Sequence, residues 1–277
     1  MTASFAGVML LDGWLDGALT VSQQDDSAIQ GTLFCLLILV LQIPAHKELA
    51  DLVKAKGLVF SVPATAIGSI FLVLTTYISQ WVPRGQELPG LVLVMCFLGL
   101  FFYHMLKYGI EGVISRSSAG CLALIYFGWF SQFAMAIRIE FGLWPLLMYI
   151  FVVKASDIGA YIIGRLIGTH PFAPRISPAK TWEGMAGAVA FAVILAIVFA
   201  DGLGIMSMTA AVIFGGCFAF IGQIGDLIES MMKRDALFKD SSSRVPGFGG
   251  LLDVFDSPLV AAPFAYLFFA VCCYTAV

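Results

Sequence analysis

The stretch Gly225–Ser257, GDLIESMMKRDALFKDSSSRVPGFGGLLDVFDS, places six acidic residues, four Lys/Arg and four Ser within Asp226–Asp256, between two long apolar runs. In a chain this apolar, so many charges are tolerated together only where they meet solvent or a polar ligand. Asp226, Ser230 and Lys233 recur at i, i+4 and i+7, so a helix through them carries all three on one face. Asp253 and Asp256 are three residues apart and can converge in the same way. The stretch therefore offers carboxylates for a divalent cation and Lys233, Arg234 and Lys239 for phosphates. It also holds a turn, Pro246 to Gly250, in which Gly247, Gly249 and Gly250 let backbone N–H groups approach an anion. Plainer readings stand beside these: an Asp226–Lys233 pair, ordinary basic loop residues, and a tight re-entrant turn. The turn is not a P-loop, because no Gly-Lys-Ser/Thr follows it.

Working outward, the 277 residues are 60% hydrophobic and 12% charged, with a mean hydropathy of +0.95. That composition defines an all-α polytopic membrane protein, because a backbone in lipid must satisfy its own hydrogen bonds. No basic tail or aromatic-basic stripe suits nucleic acid, so nucleic acid is excluded as a partner. The six cysteines lie in apolar runs without metal-ligand spacing. No basic n-region opens the chain, so no cleaved signal peptide is expected. About nine transmembrane helices are expected, near 2–20, 31–45, 58–80, 89–106, 118–137, 143–166, 183–200, 207–229 and 257–277. The first carries Asp12 and Asp16 and is expected to be short or poorly embedded. The second is expected to end at Pro44 and His46, with His46 and Glu48 as interfacial polar residues. Residues 1–277 read as a single integral membrane domain, with N-terminal helices at 1–140 and the motif-bearing C-terminal helices at 141–277. Twelve Lys/Arg fall in the loops of one side and only Arg84 and Arg138 on the other. The positive-inside rule then predicts a cytosolic N-terminus, with the polar site at the cytosolic ends of the C-terminal helices.

Two further motifs precede the opening stretch. In Ser177-Pro178-Ala179-Lys180-Thr181-Trp182-Glu183-Gly184, Ser177 is a predicted N-cap and Pro178 a first helical residue. The helix N-terminus and Lys180 would then face an anion. In Lys154-Ala155-Ser156-Asp157-Ile158-Gly159-Ala160-Tyr161, Asp157 is an intramembrane acid, a functional candidate by position. An i, i+3 pair with Lys154 is the bland alternative.

Taken together, these segments resemble the CDP-diacylglycerol synthases, or phosphatidate cytidylyltransferases. The resemblance rests on Ser230, Lys233, Arg234, Lys239, Asp240, Pro246, Gly247, Gly249, Gly250, Asp253 and Asp256, and is specific over about 150–277. The Ser177–Gly184 segment and Asp157-x-Gly-Ala-Tyr are similar to further family segments. Phe248 stands where the family usually has His, and Val254 where it usually has Arg. The resemblance implies the reaction of CTP with phosphatidic acid to give CDP-diacylglycerol and pyrophosphate, in the cytoplasmic membrane of a bacterium. It implies Asp226, Asp253, Lys233 and Asp256 as catalytic residues, with Mg²⁺ on Asp226 and Asp253. A second cation and a homodimer remain open. It also implies substrate contacts from Ser177, Lys180, Thr181, Asp157, Ser230, Arg234, Lys239, Asp240, Gly247, Gly249 and Gly250. The alternatives are a CTP-dependent transferase acting on another lipid phosphate or a polyprenol, a catalytically impaired paralogue, and a transporter.

Overall fold

The computed structural model describes residues 2–18, 29–83, 85–237, 250 and 252–273. The described residues form ten α-helices: α1 Thr2–Leu15, α2 Thr32–Ala55, α3 Val62–Ile78, α4 Leu88–Tyr108, α5 Val113–Ala123, α6 Phe130–Glu140, α7 Leu143–Ile167, α8 Trp182–Leu203, α9 Met208–Asp235 and α10 Leu252–Cys273. A π-helical segment, Leu124–Trp129, fuses α5 to α6 into one continuous helix. Eight helices among the described residues are long and apolar enough to cross a membrane. The all-α polytopic expectation holds. The ninth expected span is α1, whose 14 residues reach only about 21 Å at 1.5 Å per residue, short of a bilayer's hydrocarbon.

The chain divides into two compact units, residues 1–140 with 235–253, and residues 141–234 with 254–277. In the first unit the two acids that shorten α1 meet a buried cation. Arg138 has no exposed surface; its Nε donates to Asp12 Oδ2 at 2.9 Å and its Nη2 to Asp16 Oδ2 at 2.8 Å. The same carboxylates hold the start of α2. Asp16 Oδ2 accepts the Gly31 N–H at 2.6 Å, and Asp12 Oδ1 accepts the Leu33 N–H at 2.8 Å. These are N–H groups that the first turn of a helix cannot satisfy internally. Arg138 is therefore a core residue rather than the loop cation that the charge tally made it.

The second span does not stop at Pro44. The helix runs through it to Ala55; beyond it His46 and Glu48 are buried within the protein rather than interfacial, and Lys47, Asp51 and Lys54 are exposed. Gln42 Nε2 donates to the Phe127 carbonyl at 3.0 Å, inside the π-helical segment, where the ordinary ladder is interrupted. His46 rests on the Phe127 ring, 4.8 Å between centroids, and shares a 3.1 Å hydrogen bond with Ser69 Oγ. Glu48 Oε2 accepts the Leu252 N–H at 3.0 Å, at the first residue of α10. Gln42, His46 and Glu48 thus each have a partner on another helix, as buried polar groups require.

The second unit is knitted by small residues. A Cβ on Gly159 of α7 would lie 2.5 Å from the Gly187 carbonyl oxygen of α8, and one on Gly187 would lie 2.6 Å from the Gly159 oxygen. The two backbones are in direct contact, the packing expected where lipid supplies no hydrophobic drive between helices. Helix α9 uses the same device three times. A Cβ on Gly215 would lie 2.5 Å from Val193 Cα of α8, one on Gly222 3.2 Å from Ser156 Oγ of α7, and one on Gly225 2.8 Å from Ser257 Cα of α10.

Removing the buried guanidinium leaves two carboxylates unpaired. Arg138→Met is expected to destabilise the N-terminal unit by about 3–5 kcal/mol, read as a fall in thermal unfolding temperature in detergent. Adding Asp12→Asn and Asp16→Asn recovers part of that loss; no recovery would show that the ion pairing is not what Arg138 supplies.

Candidate functional site: acidic cluster and lysine of the second unit

Gly222 and Gly225 bring α9 against α7 and α10, and the next residue along α9 is Asp226. Helix α9 has 28 residues, about 42 Å, longer than the hydrocarbon it crosses. Asp226 lies nine residues before its last residue, Asp235, and Asp157 lies ten before the last residue of α7, Ile167. Both carboxylates thus sit at similar depth on neighbouring helices.

Their partners form one chain of polar contacts. Lys154 Nζ donates to Asp157 Oδ2 at 3.3 Å, the i, i+3 pair visible in the sequence. Gln223 Nε2 donates to Asp157 Oδ1 at 3.2 Å, and Lys180 Nζ donates to Gln223 Oε1 at 2.9 Å. Lys180 also forms an ion pair with Asp226 Oδ2. Asp226 is thus paired with Lys180 rather than with Lys233. Lys233 instead lies 3.3 Å from Glu229 Oε1, one turn back on its own helix.

Glu229 is the residue the sequence reading left out. Asp226, Glu229 and Asp256 each offer a carboxylate oxygen within 4.8 Å of the others, and they form the one group of potential metal ligands among the described residues. Glu229 and Asp256 are 1% and 2% exposed, so two of the three charges are withdrawn from water. Asp226 has Lys180 and Glu229 has Lys233, whereas Asp256 meets no cation at ion-pair distance: its Oδ1 accepts the Ser257 hydroxyl at 3.3 Å, it interacts with Glu229, and its Oδ2 has no well-formed hydrogen bond. A buried carboxylate oxygen without a donor is costly. Three convergent carboxylates with one unsatisfied oxygen fit a hard divalent cation, which takes one or two carboxylates and fills its remaining positions with water and phosphate. The spacing Asp226-x-x-Glu229-x-x-x-Lys233 carried the signal, because i+3 and i+4 place all three on adjacent positions of a helix surface.

The other half of the expected metal pair, Asp253, belongs to the first unit, where its Oδ2 accepts the Gly250 N–H at 2.6 Å. It reaches back over the start of α10, as an acid in a first turn does.

The segment before α8 differs from its sequence reading. The helix starts at Trp182, and Thr181, not Ser177, is the N-cap, its Oγ1 accepting the Gly184 N–H at 3.1 Å. Ser177 to Lys180 instead form a turn, with the Lys180 N–H donating to the Ser177 carbonyl at 3.1 Å. Pro178 takes the second position of that turn, which suits its fixed φ as well as a helix start does. An isolated antiparallel bridge, Pro171 to Thr181, closes the loop into a small hairpin. Glu183, in the first turn of α8, fixes its base by accepting the backbone N–H groups of Thr169 at 3.1 Å and His170 at 3.2 Å. Arg234 Nε donates to the Ile176 carbonyl at 3.4 Å, tying the hairpin to α9. The later helix start leaves Lys180 just outside the cap, where it reaches α9.

Of the expected substrate contacts, Asp157, Lys180, Thr181, Ser177 and Arg234 are thus gathered on or around this cluster, and Ser230 is half-buried on α9. Lys239, Asp240, Gly247 and Gly249 lie outside the described residues, as do Arg244 and Phe248.

The described residues thus form a polytopic helical membrane protein in which an acidic cluster lies beside a lysine. The chain belongs to the cytidylyltransferase family, whose model matches residues 27–272. It is 36% identical over 240 residues to a phosphatidate cytidylyltransferase of Staphylococcus haemolyticus, covering 84% of this chain and 88% of that one. It is 31% identical over 240 residues to one of Mycobacterium bovis, covering 83% and 78%. A Haemophilus influenzae phosphatidate cytidylyltransferase is 42% identical over a shorter 133 residues, so that alignment spans about half of each chain, 46% and 46%.

The closeness of α9 and α10 at Gly225 gives a direct check. Gly225→Ala puts a methyl group against the α10 backbone and is expected to cost about 1–3 kcal/mol, whereas Gly216→Ala, with open space at its Cβ, is expected to be neutral. Thermal unfolding of both variants decides it; equal behaviour would mean that α9 and α10 do not meet there.

Proposed function

We propose that this protein transfers the cytidylyl group of CTP to phosphatidic acid, releasing pyrophosphate and forming CDP-diacylglycerol. The observation that carries the reading is the convergent set Asp226, Glu229 and Asp256, the last two buried, with its unsatisfied carboxylate oxygen, beside Lys180. The relatives named phosphatidate cytidylyltransferase supply the substrate class.

Asp226, Glu229 and Asp256 would hold a divalent cation, Mg²⁺ in this proposal, which supplies charge neutralisation for the phosphates when bound. The motif keeps Asp253 in the proposal, as well as a second cation. The residues of this chain do the rest. Lys180 is held by Gln223 and Asp226, so its ammonium is oriented before substrate arrives and can exchange a carboxylate for a phosphate oxygen. Asp157 and Lys154 fix Gln223 from behind. Lys233, one turn along α9, offsets the charge of Glu229. An oxygen of the lipid phosphate attacks the α-phosphorus in line, a new P–O bond forms, and the bond to pyrophosphate breaks. A phosphate monoester is already anionic near neutral pH, so no side chain need remove a proton. Catalysis then rests on positioning and preorganised charge.

The side rich in Lys/Arg faces the cytosol of a bacterial plasma membrane in this proposal, so CTP arrives from solution and phosphatidic acid from the bilayer.

The test is turnover of labelled CTP by the purified chain in liposomes containing phosphatidic acid or a polyprenyl phosphate, with Mg²⁺ or with chelator. Mg²⁺-dependent CDP-diacylglycerol formation is expected, with Lys180→Met lowering kcat/KM by about 10²-fold and Asp253→Asn or Asp256→Asn abolishing metal-dependent turnover. Turnover of the polyprenyl phosphate alone would move the substrate, and no turnover of either would overturn the enzyme.

A further inference from the structure

The first unit contains a second polar cleft that the proposed reaction does not use. It opens at the ends of three helices, between the start of α3, the end of α4 and the start of α5. Ser61, Thr65, Tyr103, His104, Tyr108, Arg116 and Ser117 supply its polar lining.

Four features of this cleft suit a phosphate group. Arg116 is the cation of the lining, its guanidinium carbon 4.2 Å above the centre of the Tyr108 ring, which holds the planar group in one orientation. Lys107 Nζ, at the same end of α4, donates to the Tyr103 hydroxyl at 2.8 Å and adds a second positive charge at the rim. The N-terminus of α3, a 17-residue helix capped by Ser61, opens on the cleft with the positive end of its dipole. The fourth feature is independent of charge. His104 and Ser117 are 3% and 6% exposed, yet His104 Nε2 and Ser117 Oγ, both on cleft-lining residues, have no hydrogen-bond partner. Two buried polar atoms left without partners in one cleft mark a place where a ligand's oxygens belong.

The surroundings identify the source of that phosphate. Leu106, Ile110 and Ile114 lie on the last turn of α4, the connecting turn and the first turn of α5, the segment that supplies Tyr108 and Arg116 to the lining, and they are 70%, 92% and 80% exposed. Exposed apolar side chains in the same segment as Lys107 and Arg116 match the boundary of a bilayer, where hydrocarbon meets headgroups. We infer that this cleft binds the phosphate of an anionic lipid headgroup, with Arg116 countering its charge and Ser117 Oγ and His104 Nε2 donating to its oxygens.

The test uses the full-length protein in detergent, with retained lipid counted by native mass spectrometry. Phosphatidylglycerol is the probe, because its phosphodiester is not a substrate of the proposed transfer, and diacylglycerol is the phosphate-free control. Phosphatidylglycerol is expected to be retained over diacylglycerol, and Arg116→Gln to weaken its binding about tenfold, near 1.4 kcal/mol. Ser117→Ala, a small change that keeps the fold, is expected to weaken it in the same direction, with the thermal unfolding temperature confirming an intact protein. Binding of inorganic phosphate, but not of the phospholipid, with the same dependence on Arg116 would keep the phosphate chemistry and assign the site to a soluble anion. Equal retention of phosphatidylglycerol by the unmutated protein and both variants, or equal retention of diacylglycerol, would overturn the site.

Discussion

Carboxylates placed where water cannot reach them set the terms for the second unit. Glu229 and Asp256 are almost fully buried, and a buried ionised group persists only with compensation from nearby charge. The lysines provide part of it, Lys233 on Glu229 and Lys180 on Asp226, whereas Asp256 has contacts with Ser257 and Glu229 but no cation at ion-pair distance. The helix packing exists to make this arrangement reachable. Without glycine at 222 and 225, α9 would stand away from α7 and α10, and Asp226, Glu229 and Asp256 would not share a volume small enough for one ion.

The first unit shows the same problem solved without a ligand. Asp12 and Asp16 are also buried, yet both oxygens of Asp12 and Oδ2 of Asp16 have partners, in the Arg138 guanidinium and the N–H groups at the start of α2. A guanidinium between two carboxylates is a closed structural unit, with fixed donors that match fixed acceptors. The acidic cluster of the second unit has flexible lysines and an unmatched oxygen in the corresponding roles. That difference is what makes the second cluster the candidate site and the first a structural unit.

The sequence made the spans legible because hydropathy is a property of composition, and a bilayer reads composition. Aspartates in the first apolar run correctly shortened α1. Three features were hidden for physical reasons. Helix α2 continues past Pro44, with Gln42 before it and His46 and Glu48 after it bonded to other helices rather than to water. Ser177 and Thr181 are equally good caps, and only the hairpin closed by Glu183 selects the second. Glu229 lies outside the i, i+4, i+7 set of Asp226, Ser230 and Lys233, so that pattern does not single it out. Its role depends on Asp256, about one helix away in sequence, and no local pattern reports that approach. Asp226, Lys180, Asp157 and Asp256 were legible because charge inside an apolar chain is conspicuous in itself.

The account stands on a cation shared by the carboxylates of α9 and α10, and binding of Mn²⁺ in place of Mg²⁺ measures this without reference to turnover. Titration of the full-length protein with Mn²⁺, followed by electron paramagnetic resonance, should show a bound ion whose affinity falls at least tenfold in Glu229→Gln and in Asp256→Asn, near 1.4 kcal/mol each, and is unchanged in Asp12→Asn. Binding that is indifferent to Glu229 and Asp256 would contradict it.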